Sequence, residues 1–211
     1  MADGWSPPRR RWLGPTSGLL FFVAVLVSAA VFGGFDFFGG VEVEPSYSPS
    51  ALLSAIQAKA EAIYNSSLIM LLGVGFLGLF IADLRVRANQ AGLGWPSEGF
   101  LVGGVLIGAA WLAYLGLQLA AHVVGDYGHV ESVQAVIDLL WLAFWLFLPG
   151  LFVFGVAAAV AGLRSGFHPV WLGVIGVLVA LTAFLPWDGL FVFVVWVAAA
   201  SVLQLVRNRR A

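Results

Sequence analysis

The sequence predicts an all-α polytopic membrane protein, a bundle of six transmembrane helices, from two observations. The 211-residue chain is 61% hydrophobic and only 10% charged, with a mean hydropathy of +0.98, whereas soluble domains carry about 25% charged residues. Several apolar runs are long enough to cross a bilayer core of about 30 Å, which takes roughly 20 helical residues. We therefore predict one transmembrane domain, 1–211, with spans at 18–38, 60–84, 99–122, 133–163, 169–186 and 189–206.

The first predicted span follows a polar tail that ends in three consecutive arginines, 9–11. This basic tail, the apolar run and the small residues at 28–30 also fit a cleavable signal peptide. The apolar run continues past the small residues and further spans follow, which favours a retained helix. Cleavage of the first helix stays open as the alternative.

The second and third spans have recognisable start signals. Ser48 is suited to the N-cap and Pro49 to the first helical position. The first turns of this helix are amphipathic, so we expect them to stand outside the bilayer before the helix enters it. After a loop that is rich in polar residues and glycine, Pro96 opens the third span.

The fourth predicted helix, 130–164, is too long and too apolar for a helix of a soluble domain. At 1.5 Å per residue it would measure roughly 50 Å, so part of it must lie outside the membrane. Pro149 and Gly150 predict a bend, because proline lacks a backbone donor and its ring crowds the preceding turn. Asp138 lies two turns into this helix, and an acid inside a span is costly.

The last two spans are short. Pro169 fits the first position of the fifth helix, which is barely long enough to cross. Asp188 follows a turn and is suited to cap the sixth.

The positions of the basic residues predict an orientation. With the N-terminus in the cytoplasm, all nine arginines fall on the cytoplasmic side and only Lys59 falls outside, as the positive-inside rule expects. We therefore predict a multi-pass protein of the plasma (inner) membrane with both termini cytoplasmic. The arginines are Arg9, Arg10, Arg11, Arg85, Arg87, Arg164, Arg207, Arg209 and Arg210.

Glycine motifs within the spans predict helix packing. Gly73, Gly75 and Gly78 match the dinucleotide pattern G-x-G-x-x-G, but they lie in mid-span without the preceding strand that this motif needs. Gly104 and Gly108 form a G-x-x-x-G pair of the kind that lets helices approach closely.

A polar and aromatic patch is predicted in the outer half of the bundle, between spans three and four. Each span carries a stripe of such side chains at helical spacing, so each stripe lies on one face. Consecutive spans run antiparallel, so the stripes can face each other, with Asn65 and Asp36 near the same level. The stripes are Trp111, Tyr114, Gln118 and His122 in span three, and Gln134, Asp138, Trp141 and Trp145 in span four.

Two interpretations of this patch compete. In the first, its groups hydrogen-bond one another and fasten the helices, each bond contributing about 0.6–2 kcal/mol. In the second, the patch is a substrate or proton site, because a histidine beside a carboxylate titrates near neutral pH. The residues of that hypothetical site are Asp138, His122, Gln118, Asn65 and Asp36.

A metal site made from His122, His129, Asp126 and Asp138 is a weaker interpretation, because His-x6-His is not a usual ligand spacing. No metal, no cofactor and no catalytic residue is predicted. The chain has no cysteine, which excludes thiol chemistry. The predicted partners are the lipid bilayer and either a membrane-protein partner or a second copy of the chain, and nucleic acid is not expected.

Two stretches, NSSLIMLLGVGFLGLFIADLRVR and SGFHPVWLGVIGVLVALTAF, resemble a family of six-span bacterial membrane proteins with a domain of unknown function. The resemblance lies in the layout: an amphipathic lead-in to span two, a basic end to it, and a proline-tryptophan start to span five. It implies no activity and no site residues. We therefore expect a small carrier or an accessory membrane subunit, and the alternative is a membrane-embedded enzyme that acts on a lipid-like substrate.

Overall fold

The computed structural model describes residues 10–32, 48–127 and 130–210. Within these ranges the chain is helical apart from short turns and contains no β-strand, so the all-α class is confirmed. The described helices are α1 (Arg10–Phe32), α2 (Pro49–Gln90), α3 (Trp95–Tyr127), α4 (Val130–Trp145), α5 (Phe147–Leu163), α6 (Val170–Thr182) and α7 (Pro186–Arg210).

Five described stretches are long and apolar enough to cross a membrane, which indicates a multi-pass membrane protein. Helices α4 and α5 together supply one of them. Helix α6 is the exception, because its 13 residues measure about 20 Å, less than the bilayer core of about 30 Å. Six spans are therefore not confirmed. The five stretches are Trp12–Phe32, Leu53–Gln90, Trp95–Tyr127, Ser132–Leu163 and Asp188–Arg209.

The predicted start of α2 is confirmed. Ser48 is the N-cap, Pro49 is the first helical residue, and the backbone N–H of Ala51 donates to Ser48 Oγ at 3.3 Å. With 42 residues, α2 is about 63 Å long, roughly twice the bilayer core. Part of α2 must therefore project from the membrane.

The predicted irregularity in the fourth span is present, but it lies at Leu146 rather than at Pro149. Helix α4 ends at Trp145, α5 begins at Phe147, and the Leu146 N–H donates to the Ala143 carbonyl at 3.1 Å. This hydrogen bond joins residues three apart in sequence, whereas an α-helical hydrogen bond joins residues four apart. Proline acts on the preceding turn, where its ring crowds the carbonyl four residues earlier, so the break precedes Pro149.

The starts of α6 and α7 differ slightly from prediction. Pro169 is the N-cap of α6 and not its first helical residue. Asp188 lies in the first turn of α7, which begins two residues earlier at Pro186, so Asp188 is not the cap. Its carboxylate still lies at the helix N-terminus, where negative charge is favourable.

The helices pack in a closed order. Helix α1 packs against α2, α2 against α3, α3 against α5, α5 against α6, α6 against α7, and α7 returns to α1. Helix α4 packs chiefly against α3 and α2. Among the described residues, eight aromatic side chains of the core between the helices are fully buried: Phe21, Phe80, Phe100, Tyr114, Phe147, Phe154, Phe193 and Trp196.

Glycines bring α5 close to its neighbours. A Cβ added at Gly162 would lie 2.5 Å from the Gly173 Cα of α6, and one added at Gly103 of α3 would lie 2.6 Å from the Phe154 backbone nitrogen. The glycines predicted as contact residues behave differently. Gly73 and Gly104 face neighbouring side chains, whereas a Cβ at Gly75, Gly78 or Gly108 would meet nothing within 4 Å.

Five chain segments meet at one end of the bundle, which we call the basic end. They are the start of α1, the end of α2, the start of α3, the α5–α6 loop and the end of α7. Arg85 pairs with Glu98 at 2.9 Å, Arg87 donates to Asn208 at 3.3 Å, and Arg207 donates to the Phe167 carbonyl at 3.0 Å. A Cβ added at Gly14 of α1 would overlap the Asp83 carboxyl group.

Candidate functional site

The predicted patch does not assemble as one site. Gln118 is the member that lies inside the bundle, where it is 7% exposed. Its carbonyl oxygen accepts from Ser67 Oγ at 3.1 Å, and its amide nitrogen donates to the Tyr114 hydroxyl at 3.2 Å. The side chain of Gln118 thus fastens α2 to α3, as the structural interpretation of the patch expects.

His122 is half-buried one turn further along α3. Its Nε2 lies 3.5 Å from Asp126 Oδ2, and its ring lies 5.4 Å from that of Tyr64 on α2. The carboxylate beside His122 is therefore that of Asp126, on its own helix, and not that of Asp138. Asn65, the α2 residue predicted to lie behind this patch, is exposed.

The expectation that Asp138 faces the bundle interior is wrong. Asp138 is exposed on α4, and its carboxylate accepts from Gln134 Nε2 at 3.0 Å on the same exposed face. The predicted depth agrees better, because a ring contact of 4.9 Å between Tyr114 and Phe144 places Asp138 near the level of Ala120. Asp36 lies outside the described residues.

A physical reason for the outward position of Asp138 is its depth. About 20 residues cross the bilayer core, so a span that starts at Gly99 of α3 leaves the core near Leu119. With the span placed in this way, a carboxylate at that level would reach headgroups and water, and facing outward would cost it little. The cost that would turn an acid inward applies only deep in the core.

The described residues contain no group of three or more histidine and acidic side chains that could hold a metal ion. His129, one member of the metal set considered from the sequence, lies outside the described residues. Asp126 and Asp138 belong to different helices and have different partners.

The second polar cluster lies at the basic end and surrounds a cavity of about 140 Å³, which we call the basic-end cavity. Helix α7 contributes the largest share of its wall, the α5–α6 loop contributes two residues, and α2 contributes one. The lining residues are Arg87, Phe167, His168, Gln204, Arg207 and Asn208.

His168 is buried in the wall of this cavity at 3% exposure. Three aromatic rings surround its imidazole, with centroids at 4.4 Å for Phe167, 5.5 Å for Trp196 and 6.5 Å for Phe100. Burial, and secondarily the positive charge of Arg207, lowers the pKa of His168 to about 4. The imidazole is therefore neutral at neutral pH, with one nitrogen that donates and one that accepts.

Gln204 lines the same cavity from α7 and is 6% exposed. Within the described ranges, neither its amide nitrogen nor its amide oxygen has a hydrogen-bond partner, and the same holds for both ring nitrogens of His168. Such groups are uncommon, because a buried polar atom without a partner costs about 1–3 kcal/mol.

The charge around the basic-end cavity is positive. Arg87 binds Asp83 at 2.6 Å, which offsets its charge. Among the described side chains, no carboxylate lies within ion-pair distance of Arg207, whose guanidinium instead donates to a backbone carbonyl. None of the lining residues is acidic.

Sequence reasoning did not find this site. It assigned no role to His168 or to Gln204. One signal was available: a glutamine within the apolar last span, one turn before an arginine, is unusual. The aromatic surround was not foreseeable, because its rings come from α3, α7 and the α5–α6 loop.

Comparison of the chain with family models, with curated protein sequences and with solved structures finds no match. The class of the protein therefore follows from its own fold. It is an all-helical multi-pass membrane protein with a packed aromatic core and a polar cavity at its basic end.

Proposed function

We propose that this protein crosses a bacterial-type plasma membrane six times, with both termini in the cytoplasm. Helices α5 and α7 both end at the basic end, where Arg207 contacts Phe167. The chain must return to the other side between them, and α6 is the segment available to do so. The positive-inside rule then assigns the basic end to the cytoplasm.

The short α6 is compatible with this crossing. Its exposed positions are apolar, namely Val170, Trp171, Val174, Leu178 and Leu181. A span shorter than the bilayer core is accommodated by local thinning, at a fraction of a kcal/mol per ångström. Trp171, half exposed at its start, is of the kind that anchors a span at the interface.

We propose further that the protein is an accessory membrane subunit. The observation that carries this proposal is the exposed face of α4. On that face the Asp138–Gln134 pair lies beside Trp141 and Trp145, which are 44% and 55% exposed, with Leu142 at 61%. Tryptophan next to polar groups is characteristic of protein interfaces. A partner membrane protein, or a second copy of this chain, would cover this face.

A small carrier is the second candidate, and the basic-end cavity favours it. The cavity contains polar and positively charged side chains that could hold a solute, and the rings of Phe100 and Trp196 pack beside His168 in its wall. The enzyme alternative gains no support from the predicted patch, because His122 and Asp138 have different partners.

Site-specific photo-crosslinking tests the accessory role. A photoreactive residue at Leu142 on α4 is compared in native membranes with one at Leu72 on α2, which is similarly exposed at 69%. We expect a discrete protein adduct from position 142 and none from position 72. An added mass near 22.4 kDa would identify a second copy, and any other mass a different subunit.

The yield of the adduct from position 142 should also fall in Asp138→Ala, which removes the exposed carboxylate. Equal adducts from both positions, or none from either, would contradict the accessory role. Solute uptake by proteoliposomes that contain only this chain would instead support the carrier.

A further inference from the structure

The polar groups of the basic-end cavity have hydrogen-bonding capacity that the described chain does not use. His168 and Gln204, both more than nine-tenths buried, present four nitrogen and oxygen atoms without partners. Leaving such atoms unpaired is unfavourable in a folded protein. These atoms have almost no accessible surface, so a ligand in the cavity pairs with them when the two side chains rotate toward it, and that pairing removes the cost.

The charge of the cavity selects an anion. Arg207 and Arg87 contribute guanidinium groups, and no acidic residue lines the cavity. Because Asp83 offsets the charge of Arg87, the net positive charge comes from Arg207. Guanidinium forks match the paired oxygens of an oxyanion, which makes arginine a common phosphate ligand. The neutral imidazole adds one N–H donor, and the Gln204 amide adds two.

The hydrogen-bond acceptors in the cavity wall restrict the chemical class of the ligand further. The Gln204 carbonyl oxygen and the second imidazole nitrogen can only accept hydrogen bonds, so they need a donor on the ligand. Inorganic phosphate keeps a P–OH group at neutral pH and so offers both acceptor oxygens and a donor, and a phosphate monoester, whose second pKa is about 6, offers the same donor in its singly charged form. The cavity of about 140 Å³ exceeds the space of several waters at about 30 Å³ each, which leaves room for such a group.

We propose that the basic-end cavity, lined by His168, Gln204, Arg207 and Arg87, binds a phosphate group, either as free phosphate or as the monoester headgroup of a lipid. The four side chains come from α2, α7 and the α5–α6 loop. Phosphate therefore ties together three segments at this end of the bundle. This inference is independent of the accessory role proposed for α4.

Thermal unfolding of the purified full chain in uncharged detergent tests the proposal. The first probe is sodium phosphate at pH 7.5, with sodium chloride and sodium sulfate at equal ionic strength as controls. A ligand present at a hundred times its Kd raises Tm by about 5 °C or more for a chain of this size. We expect this rise with phosphate and a much smaller one with sulfate, which lacks the O–H donor.

The second probe distinguishes the source of the phosphate. Nanodiscs of phosphatidylcholine alone are compared with nanodiscs that contain phosphatidic acid. A rise in Tm with both probes, or with inorganic phosphate alone, supports a site that free phosphate can occupy. A rise with phosphatidic acid alone supports a lipid headgroup site. No rise with either probe overturns the proposal.

Variants locate the site. Gln204→Leu and Arg207→Gln should each lose the rise, while Arg209→Gln, which makes the same charge change on the same helix outside the cavity, should keep it. Gln204→Leu should unfold no earlier than the wild type without ligand, because it removes an amide that has no partner. If Gln204→Leu does not fold, Arg207→Gln decides. A wild-type rise in both cavity variants, or an equal rise with sulfate, overturns the proposal.

Discussion

At the residue scale, His168 is the most distinctive side chain of the protein. Its imidazole lies among the rings of Phe100, Phe167 and Trp196, and Arg207 and Arg87 are the charged groups of the adjoining cavity wall. Burial removes the imidazole from water, which disfavours its charged form, and the positive charge of Arg207 adds to that effect. This is the physical reason why the pKa of His168 is lowered from 6.5 to about 4.

We predict that His168 makes the protein less stable in mild acid. Between pH 6.5 and about 4, the unfolded chain holds a proton on His168 that the folded chain does not hold. The free energy of unfolding is therefore highest above pH 6.5 and falls as the pH decreases through this window, by about 3 kcal/mol in total. Thermal unfolding at pH 7.5, 5.5 and 4.5 measures the effect.

The matched control is His168→Phe, which suits the aromatic surround and cannot be protonated. Its unfolding temperature should change much less between pH 7.5 and 4.5 than that of the wild type. An identical acid dependence in the two proteins would assign the effect to groups other than His168.

Residue-scale features were predicted from the sequence unevenly. The helical spacing of Gln118 and of Asp138 was sufficient to place each on a stripe and at a similar depth. It could not tell which way a stripe faces, because a membrane helix is apolar on its lipid side as well as on its core side. Gln118 turns inward to Ser67 and Tyr114, whereas Asp138 turns outward with Gln134.

At the scale of elements, α5 and α6 are held by backbone-to-backbone contact. Gly162 and Gly173 face each other, and a Cβ added at Gly176 would lie 2.7 Å from the Ala159 backbone nitrogen. In a membrane no hydrophobic drive brings helices together, so close packing through glycine carries much of their association. This contact fixes the short α6 in place.

We predict opposite effects for two glycine-to-alanine changes. Gly162→Ala should lower the free energy of unfolding by about 1–3 kcal/mol, since its Cβ has no space. Gly75→Ala should raise it by about 0.5–1 kcal/mol, because its Cβ would meet nothing within 4 Å and alanine favours a helix. Thermal or denaturant unfolding in detergent measures both.

A loss of stability in Gly75→Ala would show that its exposed face is in contact with another molecule. An unchanged Gly162→Ala would contradict the close α5–α6 contact. Each variant adds one methyl group to the wild-type protein at a helical position. The gain in helix propensity is therefore the same in both and does not explain a difference between them.

Helix starts with a local chemical cause were predictable from the sequence, and helix lengths were less so. Ser48 and Pro49 marked the start of α2 correctly, because capping depends on adjacent residues. The end of α6 at Thr182 was missed, because the following turn is as apolar as the helix. Glycine contacts could not be assigned either: Gly162 and Gly75 look alike in sequence and differ only in their neighbours.

At the scale of the whole molecule, charge divides the bundle into two ends. Arg85, Arg87, Arg164 and Arg207 belong to segments of the basic end, whereas His122, Asp126 and Tyr127 lie at the opposite end of α3. A contact between Gln57 Nε2 and the Gly125 carbonyl at 2.9 Å joins α2 and α3 there. The two ends should therefore face different compartments.

We predict that single cysteines report this division. The chain has no native cysteine, so each introduced thiol is unique. In intact cells, a membrane-impermeant reagent should label Tyr127→Cys and should not label Gln90→Cys or Ser165→Cys. All three should react once the membrane is opened. External labelling at position 90 would invert the proposed orientation.

The packing of α7 against α1 has a consequence for how the protein is made. Helix α7 leaves the ribosome after every other described helix. In the folded protein, Gly18 and Phe21 of α1 contact Ser201 and Phe193 of α7, so these contacts form only after α7 has been made. Before α7 packs against α1, the ring of packed helices is incomplete and one side of α1 is uncovered. The packing of α7 against α1 is therefore a late step in the synthesis and folding of the protein. Translation that stops before α7 would leave the uncovered side of α1 accessible to chaperones and membrane proteases.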